Sequence, residues 1–430
     1  MTIDVGMLEI VKRIVPGAFS RQIPYGPQVA FIDGQLKLQI PDFIRTWETF
    51  LAVQFVTPIN RLYDLGATVV VLSFDFYPKT PGAKQPTQRK RTTKLVKLPW
   101  DTREELPSVI PENYSSLIAN RVFKVRVCQL VVSTIASLVA LGNGRRLIID
   151  YDDMPLEFTA GDVAPQPRTG YTLLGESDVK FPQYLLPGQP FLADSVDGDY
   201  VAIAMMQIER ARAANETPPK VLIRRIEIKT AGEKRPRSEG PTRRQYEFVD
   251  ANMIVDALVH HLQRHHVMLK QCKGHEIRLF CYLVALIGCD FTAGIPRVGP
   301  TTLWKHLDVI WVPLQNAYDP IKGEFNVRKV ADTVIAPLLK LIHKKHAGCA
   351  PGQNLTGLLS AIKTSSTLTD KAREAVPSVA DIACLVRNSN WTIHYWWDAV
   401  TVPSSSQVKY GFAVKAKNGE VERDSKSVLD

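Results

Sequence analysis

Seven carboxylates in this chain have the types and spacing of metal ligands: Asp33, Asp75, Glu176, Asp178, Asp197, Asp199 and Asp290. Glu176 and Asp178 form one acid-x-acid pair, and Asp197 and Asp199 form another. Each acid of the second pair follows its counterpart in the first by 21 residues. Acids crowded into one cleft raise one another's pKa values, so they need cations between them. Oxygen ligands alone suit Mg²⁺ or Mn²⁺. Two such ions, about 3.5–4 Å apart, can activate a water and stabilise the leaving oxygen of a phosphodiester. Asp194 competes with Asp197 for a metal role, but the matched spacing favours Asp197.

Asp290 opens the most specific segment, Cys289-Asp290-Phe291-Thr292-Ala293-Gly294-Ile295-Pro296-Arg297-Val298-Gly299-Pro300. Its glycines permit a tight turn that offers backbone N–H groups at the start of a helix, which can hold a phosphate without side chains. A basic stretch follows Asp75: Lys84, Arg89, Lys90, Arg91, Lys94 and Lys97, with no acid among them. Beside Asp75 it reads as a segment that grips phosphates at the mouth of the acidic site.

The acids need elements to position them. Gln28 to Asp33 and Ala67 to Phe74 read as buried strands, each leading into an acid, with a helix from Asp42 to Leu65 between them. Apolar strands in a strand–helix–strand order imply a parallel sheet covered on both faces. Ligands bind such sheets at the carboxyl ends of the strands. Ser115 to Leu141 and Asp250 to Ile287 read as helical, Arg146 to Asp150 as a short strand, and Tyr200 to Ile208 as β-like. Asp150, Asp152 and Asp153 read as a strand-end loop, from which Asp152 could support a ligand. Glu227 to Arg244 reads as an exposed, charged insertion.

With 430 residues, 45% of them hydrophobic, the chain is long enough for one large core or two to three domains. Lys and Arg outnumber Asp and Glu by 53 to 43, a balance that fits a polyanionic partner. Six scattered cysteines, none in a C-x-x-C pair, fit a reducing compartment better than a disulfide framework. The longest apolar stretch, Val127 to Leu141, is shorter than the roughly 20 residues that span a bilayer, so it reads as a buried helix. The N-terminus carries Asp4 and Glu9 and has no secretory apolar run. An intracellular protein is expected, nuclear or cytoplasmic, with Lys234 to Arg237 as a basic nuclear-type signal.

Taken in order, the acids resemble those of the flap endonuclease/XPG family of structure-specific 5′ nucleases. That family places an Asp after each of its first two strands, then a Glu-x-Glu/Asp pair, an Asp-x-Asp pair and a final Asp before a helix–two-turn–helix. Asp33, Asp75, Glu176 with Asp178, Asp197 with Asp199, and Asp290 match in sequence. The resemblance spans roughly residues 5 to 310, with patchy stretches. It implies a PIN-like α/β fold: a mostly parallel sheet flanked by helices, with a basic helical arch within residues 80–145. It divides the chain into a core over residues 5–225, an exposed insertion over 226–249, a DNA-binding region over 250–345, and a C-terminal region over 346–430 with no assigned role.

The implied activity is hydrolysis of flapped, nicked or branched DNA with two Mg²⁺, replaceable by Mn²⁺, leaving a 5′-phosphate and a 3′-hydroxyl. Gly294, Val298 and Gly299 would line the duplex-gripping turn, where the family often holds K⁺. Arg297, standing in place of a usual glycine, would add a phosphate contact. Lys84 and Arg91, seven residues apart, would orient the scissile phosphate; Arg89 is a rival for the Arg role and Lys94 a further DNA contact. Gly6 to Pro16 is similar to the family's first helix, with five extra residues ahead of it. Gly175-Glu176-Ser177-Asp178-Val179-Lys180 resembles a motif of 5′→3′ exoribonucleases, which share the core but lack the turn. RNA therefore stays open as a substrate, as does a catalytically silent nucleic-acid-binding relative. A monomer is expected, and no sliding-clamp-binding box is recognisable near the C-terminus.

His260, His261, His265, His266, Cys272 and His275 crowd one segment without a recognised zinc spacing, and a basic helix face is the favoured reading. Trp391, Tyr395, Trp396 and Trp397 read as core packing, with base stacking as the alternative.

Overall fold

Nine short segments, most of them rich in apolar and β-branched residues, make one sheet: Phe19–Ser20 (β1), Val29–Asp33 (β2), Val69–Ser73 (β3), Arg146–Asp150 (β4), Leu156–Thr159 (β5), Gln166–Pro167 (β6), Pro190–Asp194 (β7), Lys220–Ile226 (β8) and Tyr246–Asp250 (β9). They are seen in a computed structural model. It describes residues 5–40, 44–75, 106–151, 154–161, 164–170, 176–226, 246–289, 292, 294–343, 354–365, 369, 373, 376–398, 412–415 and 420–423. The strand order is β1-β9-β8-β7-β2-β3-β4-β5-β6. The central strands β8, β7, β2, β3 and β4 run parallel, and antiparallel strands extend both edges. The protein is therefore α/β, with a large mixed sheet that is parallel through its middle.

From β2 the chain winds through β3 to β4, then returns to the far side of β2 as β7. Its direction of winding thus reverses between β2 and β7. In open α/β sheets ligands bind beyond the carboxyl ends of the strands at such a switch point.

The helices are Val5–Ile14 (α1), Gly34–Lys37 (α2), Trp47–Leu51 (α3), Thr57–Asp64 (α4), Tyr114–Leu117 (α5), Arg121–Leu138 (α6), Ser177–Lys180 (α7), Asp199–Ala213 (α8), Ala251–His265 (α9), Glu276–Ile287 (α10), Pro300–Lys305 (α11), Leu307–Ala317 (α12), Val327–Val330 (α13), Ala336–Ile342 (α14), Leu355–Thr364 (α15) and Val379–Trp397 (α16). Alternate side chains of each strand serve opposite faces of the sheet. Phe31, Val71, Ile148, Ala193 and Ile223 pack under α1, α8, α9 and α10. Ala30, Ile32, Val70, Leu72 and Leu192 pack under α3, α4 and α6. Burial on both faces accounts for the near-continuous apolar runs of β2 and β3.

Several elements differ from their sequence reading. The helix expected from Asp42 begins at Trp47, because Thr46 is extended and its Oγ1 accepts the Thr49 N–H at 3.2 Å. It continues to Asp64 through a π-helical turn at Ala52–Val56. The helix expected over Ser115 to Leu141 is split: Asn120 caps α6 by accepting from Val122 and Phe123 at 2.9 and 3.3 Å. Tyr200 to Ile208 is not a strand but the middle of α8. Every residue from Asp199 to Glu209 is buried, so no polar face marks a helical period. The helix expected from Asp250 breaks between His265 and Glu276.

The region beyond residue 346 is partly integral to the core. Trp391 and Trp396 of α16 are buried against α8 and α10, in the core rather than on a surface open to bases. Gln207 Nε2 fixes α16 by donating to the carbonyls of Trp396 and Trp397 at 2.6 and 3.1 Å. Tyr246 to Val249, expected within the exposed insertion, pair with β8 inside the sheet. Residues 227–245, including Lys234 to Arg237, lie outside the described residues. Among the described residues no helix is long and apolar enough to cross a membrane. Cys128, Cys272, Cys281, Cys289 and Cys384 are all buried.

Candidate metal centre

Asp33 ends β2 and turns the chain into α2. Its Oδ1 accepts the N–H groups of Gln35 and Leu36 at 3.1 and 3.4 Å, and its Oδ2 accepts the Ser195 hydroxyl at 3.2 Å. A Cβ at Gly34 would lie 2.6 Å from the Phe74 ring, so glycine lets this turn sit against the end of β3. Asp75 lies two residues beyond β3, and its Oδ1 accepts the Ser177 N–H at 2.9 Å. That bond brings the Glu176–Asp178 segment onto the same end of the sheet, with both of its acids buried.

The second acid pair follows β7. Asp197 donates its N–H to Ser195 Oγ at 3.2 Å, and its Oδ1 accepts the N–H of Asp199, the first residue of α8, at 3.0 Å. Asp178, Asp197 and Asp199 each place a carboxylate oxygen within 4.8 Å of the others. Loss of water pushes the Asp33 carboxyl up to about 7, helped by the charges of Asp75, Asp197 and Asp178. Burial and the charges of Asp33 and Asp178 likewise hold the Tyr200 phenol well above its ordinary value.

The structure thus gathers Asp33, Asp75, Asp178, Asp197 and Asp199 at the carboxyl ends of β2, β3 and β7, with Glu176 next to them in the chain. This donor set is oxygen-only, and three of its carboxylates lie close enough together to hold a metal ion. Asp290, Lys84, Arg89, Arg91 and Lys94 lie outside the described residues.

Asp194 is buried between Lys37 Nζ at 2.8 Å and Arg224 Nη1 at 3.3 Å. Its charge is answered by those two cations. Sequence reading missed Lys37, Arg224, Ser177 and Ser195, because ordinary polar residues carry no motif of their own. It also missed Glu209 of α8, whose carboxylate accepts the first N–H groups of α10, from Ile277 and Arg278, at 2.7 and 3.0 Å. That contact ties the helix beginning at Asp199 to the helix leading into the glycine turn.

The turn itself is held from within. The Thr292 hydroxyl donates to Ala285 O, Cys289 and Thr292 exchange backbone hydrogen bonds, and Ile295 N donates to Leu286 O at 2.9 Å. Ile295 and Val298 are buried while Pro296 and Arg297 are exposed. Gly294 has φ +73°, and a Cβ there would lie 2.2 Å from Ile287 O. Arg297 has φ +65°, so a side chain sits where the backbone favours glycine. Gly299 caps α11, whose first hydrogen bond runs from Leu303 N to Gly299 O at 3.0 Å.

The histidines line a partly exposed face. His261 stacks on Trp304 at 5.6 Å, and His266 Nδ1 meets Asp308 at 2.8 Å. Burial, and then the neighbouring histidines, lower the pKa of His261. Among the described residues the only trio of potential ligand atoms this close is Asp178, Asp197 and Asp199. Compared with known proteins, the chain matches no family model and no curated protein.

Proposed function

We propose that this protein is a metal-dependent nuclease with a PIN-like core, related in design to the structure-specific 5′ nucleases. The observation that carries the reading is the meeting of Asp178, Asp197 and Asp199 within 4.8 Å, beyond the strand ends where the sheet reverses its winding. Asp33 and Asp75 stand beside them, and Glu176 would complete the set together with Asp290. Divalent cations held there would supply an activated water and neutralise the oxygen that leaves a phosphodiester.

The chain's own residues prepare the site. Asp33, Ser195, Asp197 and the Asp199 N–H form a line of hydrogen bonds that holds the Asp33 and Asp197 carboxylates. Lys84 and Arg91 would orient the scissile phosphate. The Gly294–Gly299 turn, with Arg297 outward, would hold duplex at a distance and so set where the cut falls. Contacts of that kind read shape rather than base sequence. Branched or flapped DNA is the substrate, and the products are a 5′-phosphate and a 3′-hydroxyl.

The test is cleavage of labelled 5′-flap DNA, nicked duplex and single-stranded RNA in Mg²⁺. Flap DNA should be cut, and Asp197→Ala and Asp199→Ala should abolish cutting while DNA binding survives. Binding of flap DNA without cleavage in Mg²⁺ or Mn²⁺ would sink the enzyme reading. Preferred degradation of single-stranded RNA would replace it with a 5′→3′ exonuclease.

A further inference from the structure

Lys180 ends α7, and its side chain is fully buried. Its Nζ donates to two acceptors from different strands: Asp150 Oδ1, the last residue of β4, at 2.8 Å, and Phe74 O, just past β3, at 2.8 Å. The Tyr184 hydroxyl donates to the other Asp150 oxygen at 2.8 Å. At the other end of the same turn, Ser177 N donates to Asp75 and Ser177 Oγ to Ser73 O at 2.9 and 3.4 Å. The segment carrying Glu176 and Asp178 is therefore pinned at both ends to the strand ends it crosses.

A buried ion pair is a poor device for stability alone, since well-packed apolar or neutral side chains often serve as well or better. A lysine with two fixed acceptors on two strands does supply register. Sliding or lifting α7 would strip Nζ of both partners and leave Asp150 charged and buried. Asp178, two residues before Lys180, must lie within reach of Asp197 and Asp199, which arrive separately from the end of β7.

We infer that Lys180, through Asp150 and Phe74, is a positioning residue that holds Asp178 in place and so sets divalent-metal affinity. The inference rests on the metal-centre reading above and assigns a role to a residue outside the ligand set. Residues that orient metal ligands typically contribute about 10–100-fold to affinity.

The experiment is calorimetric titration with Mn²⁺ of wild type and of the double variant Lys180→Met/Asp150→Asn, which removes both charges together. Thermal melting is measured in parallel. The expected result is a double variant that melts near wild type and binds Mn²⁺ at least about tenfold more weakly. A folded double variant with wild-type affinity overturns the inference and leaves the metal centre standing. If wild type takes up no Mn²⁺, the metal centre itself falls, and this inference with it. Should the double variant fail to fold, Tyr184→Phe carries the test by removing one hydrogen bond from Asp150: weaker Mn²⁺ binding supports the inference, and unchanged binding overturns it.

Discussion

The backbone N–H of Asp199 donates to Oδ1 of Asp197 at 3.0 Å, so the first acid of the pair caps the turn that delivers the second. Asp197 thus has two separable duties. One is a turn acceptor, which a neutral oxygen can perform. The other is a negative charge within 4.8 Å of two more carboxylates.

Asp197→Asn and Asp197→Ala should separate these duties. Asn keeps an oxygen for the Asp199 N–H and removes a charge from a crowded cluster, so the metal-free protein should be at least as stable as wild type. Ala also loses the acceptor and should cost about 1 kcal/mol. Both should weaken Mn²⁺ binding by tenfold or more. Chemical denaturation and calorimetry check the two halves, and wild-type metal affinity in Asp197→Asn would remove Asp197 from the ligand set.

If the proposed centre holds Mg²⁺, the cation should stabilise the fold, because it would bind an arrangement that the unfolded chain does not have. At about a hundredfold excess over its dissociation constant, the gain is about 2.7 kcal/mol. Thermal melts with Mg²⁺ and then with EDTA should move apart for wild type and coincide for Asp178→Ala/Asp199→Ala. A shift that survives in the double variant would place the cation elsewhere.

Glu209 gives a pH dependence whose sign is fixed. Burial lifts its carboxyl from the ordinary 4.5 to about 8, against the pull of the Ile277 and Arg278 N–H groups. An acid raised in the folded state contributes its full stability below the unfolded value, and loses it as pH climbs through the folded one. The stability of wild type relative to Glu209→Gln should therefore fall between about pH 4.5 and pH 8 and level off above. The slope should be at most about 1.4 kcal/mol per pH unit. Denaturation midpoints of both proteins across that window, in saturating Mg²⁺ to quiet the acidic cluster, check it. A constant difference would mean that Glu209 is ionised throughout.

The sequence announced the parts of the site that lie at strand ends. Val29–Asp33 and Val69–Ser73 are apolar runs leading into acids, and a parallel sheet puts such acids together. It hid α8, because a helix buried on all sides has the same unbroken apolar pattern as a strand. It also hid the pairing of Lys37 with Asp194 and of Lys180 with Asp150, contacts between residues 157 and 30 positions apart that only the sheet order creates. That Asp194 is paired with Lys37 and Arg224 was likewise not legible before the strands were in place.

Arg297 separates backbone strain from nucleic-acid binding. Its φ of +65° lies where a side chain costs about 1–2 kcal/mol, and it is exposed, so no burial compensates for the conformation. Arg297→Gly should relieve that strain, less the entropy that glycine adds to the unfolded chain, for a net gain of up to about 1 kcal/mol. The same change removes one cation from the outer face of the turn. Duplex affinity should fall, and the dependence of affinity on salt should weaken by about one ion. Arg297→Ala keeps the strain and loses the charge, so it should bind as poorly as Arg297→Gly without the gain in stability. Gly294 is the contrast: its φ is also positive, but a Cβ there would meet Ile287 O at 2.2 Å, so Gly294→Ala should unseat the turn and destabilise the fold. Denaturation curves and salt-titrated binding of flap DNA measure both axes. If Arg297→Gly is more stable and binds duplex as tightly as wild type with the same salt slope, Arg297 makes no phosphate contact. Duplex binding by this turn would then rest on its backbone alone.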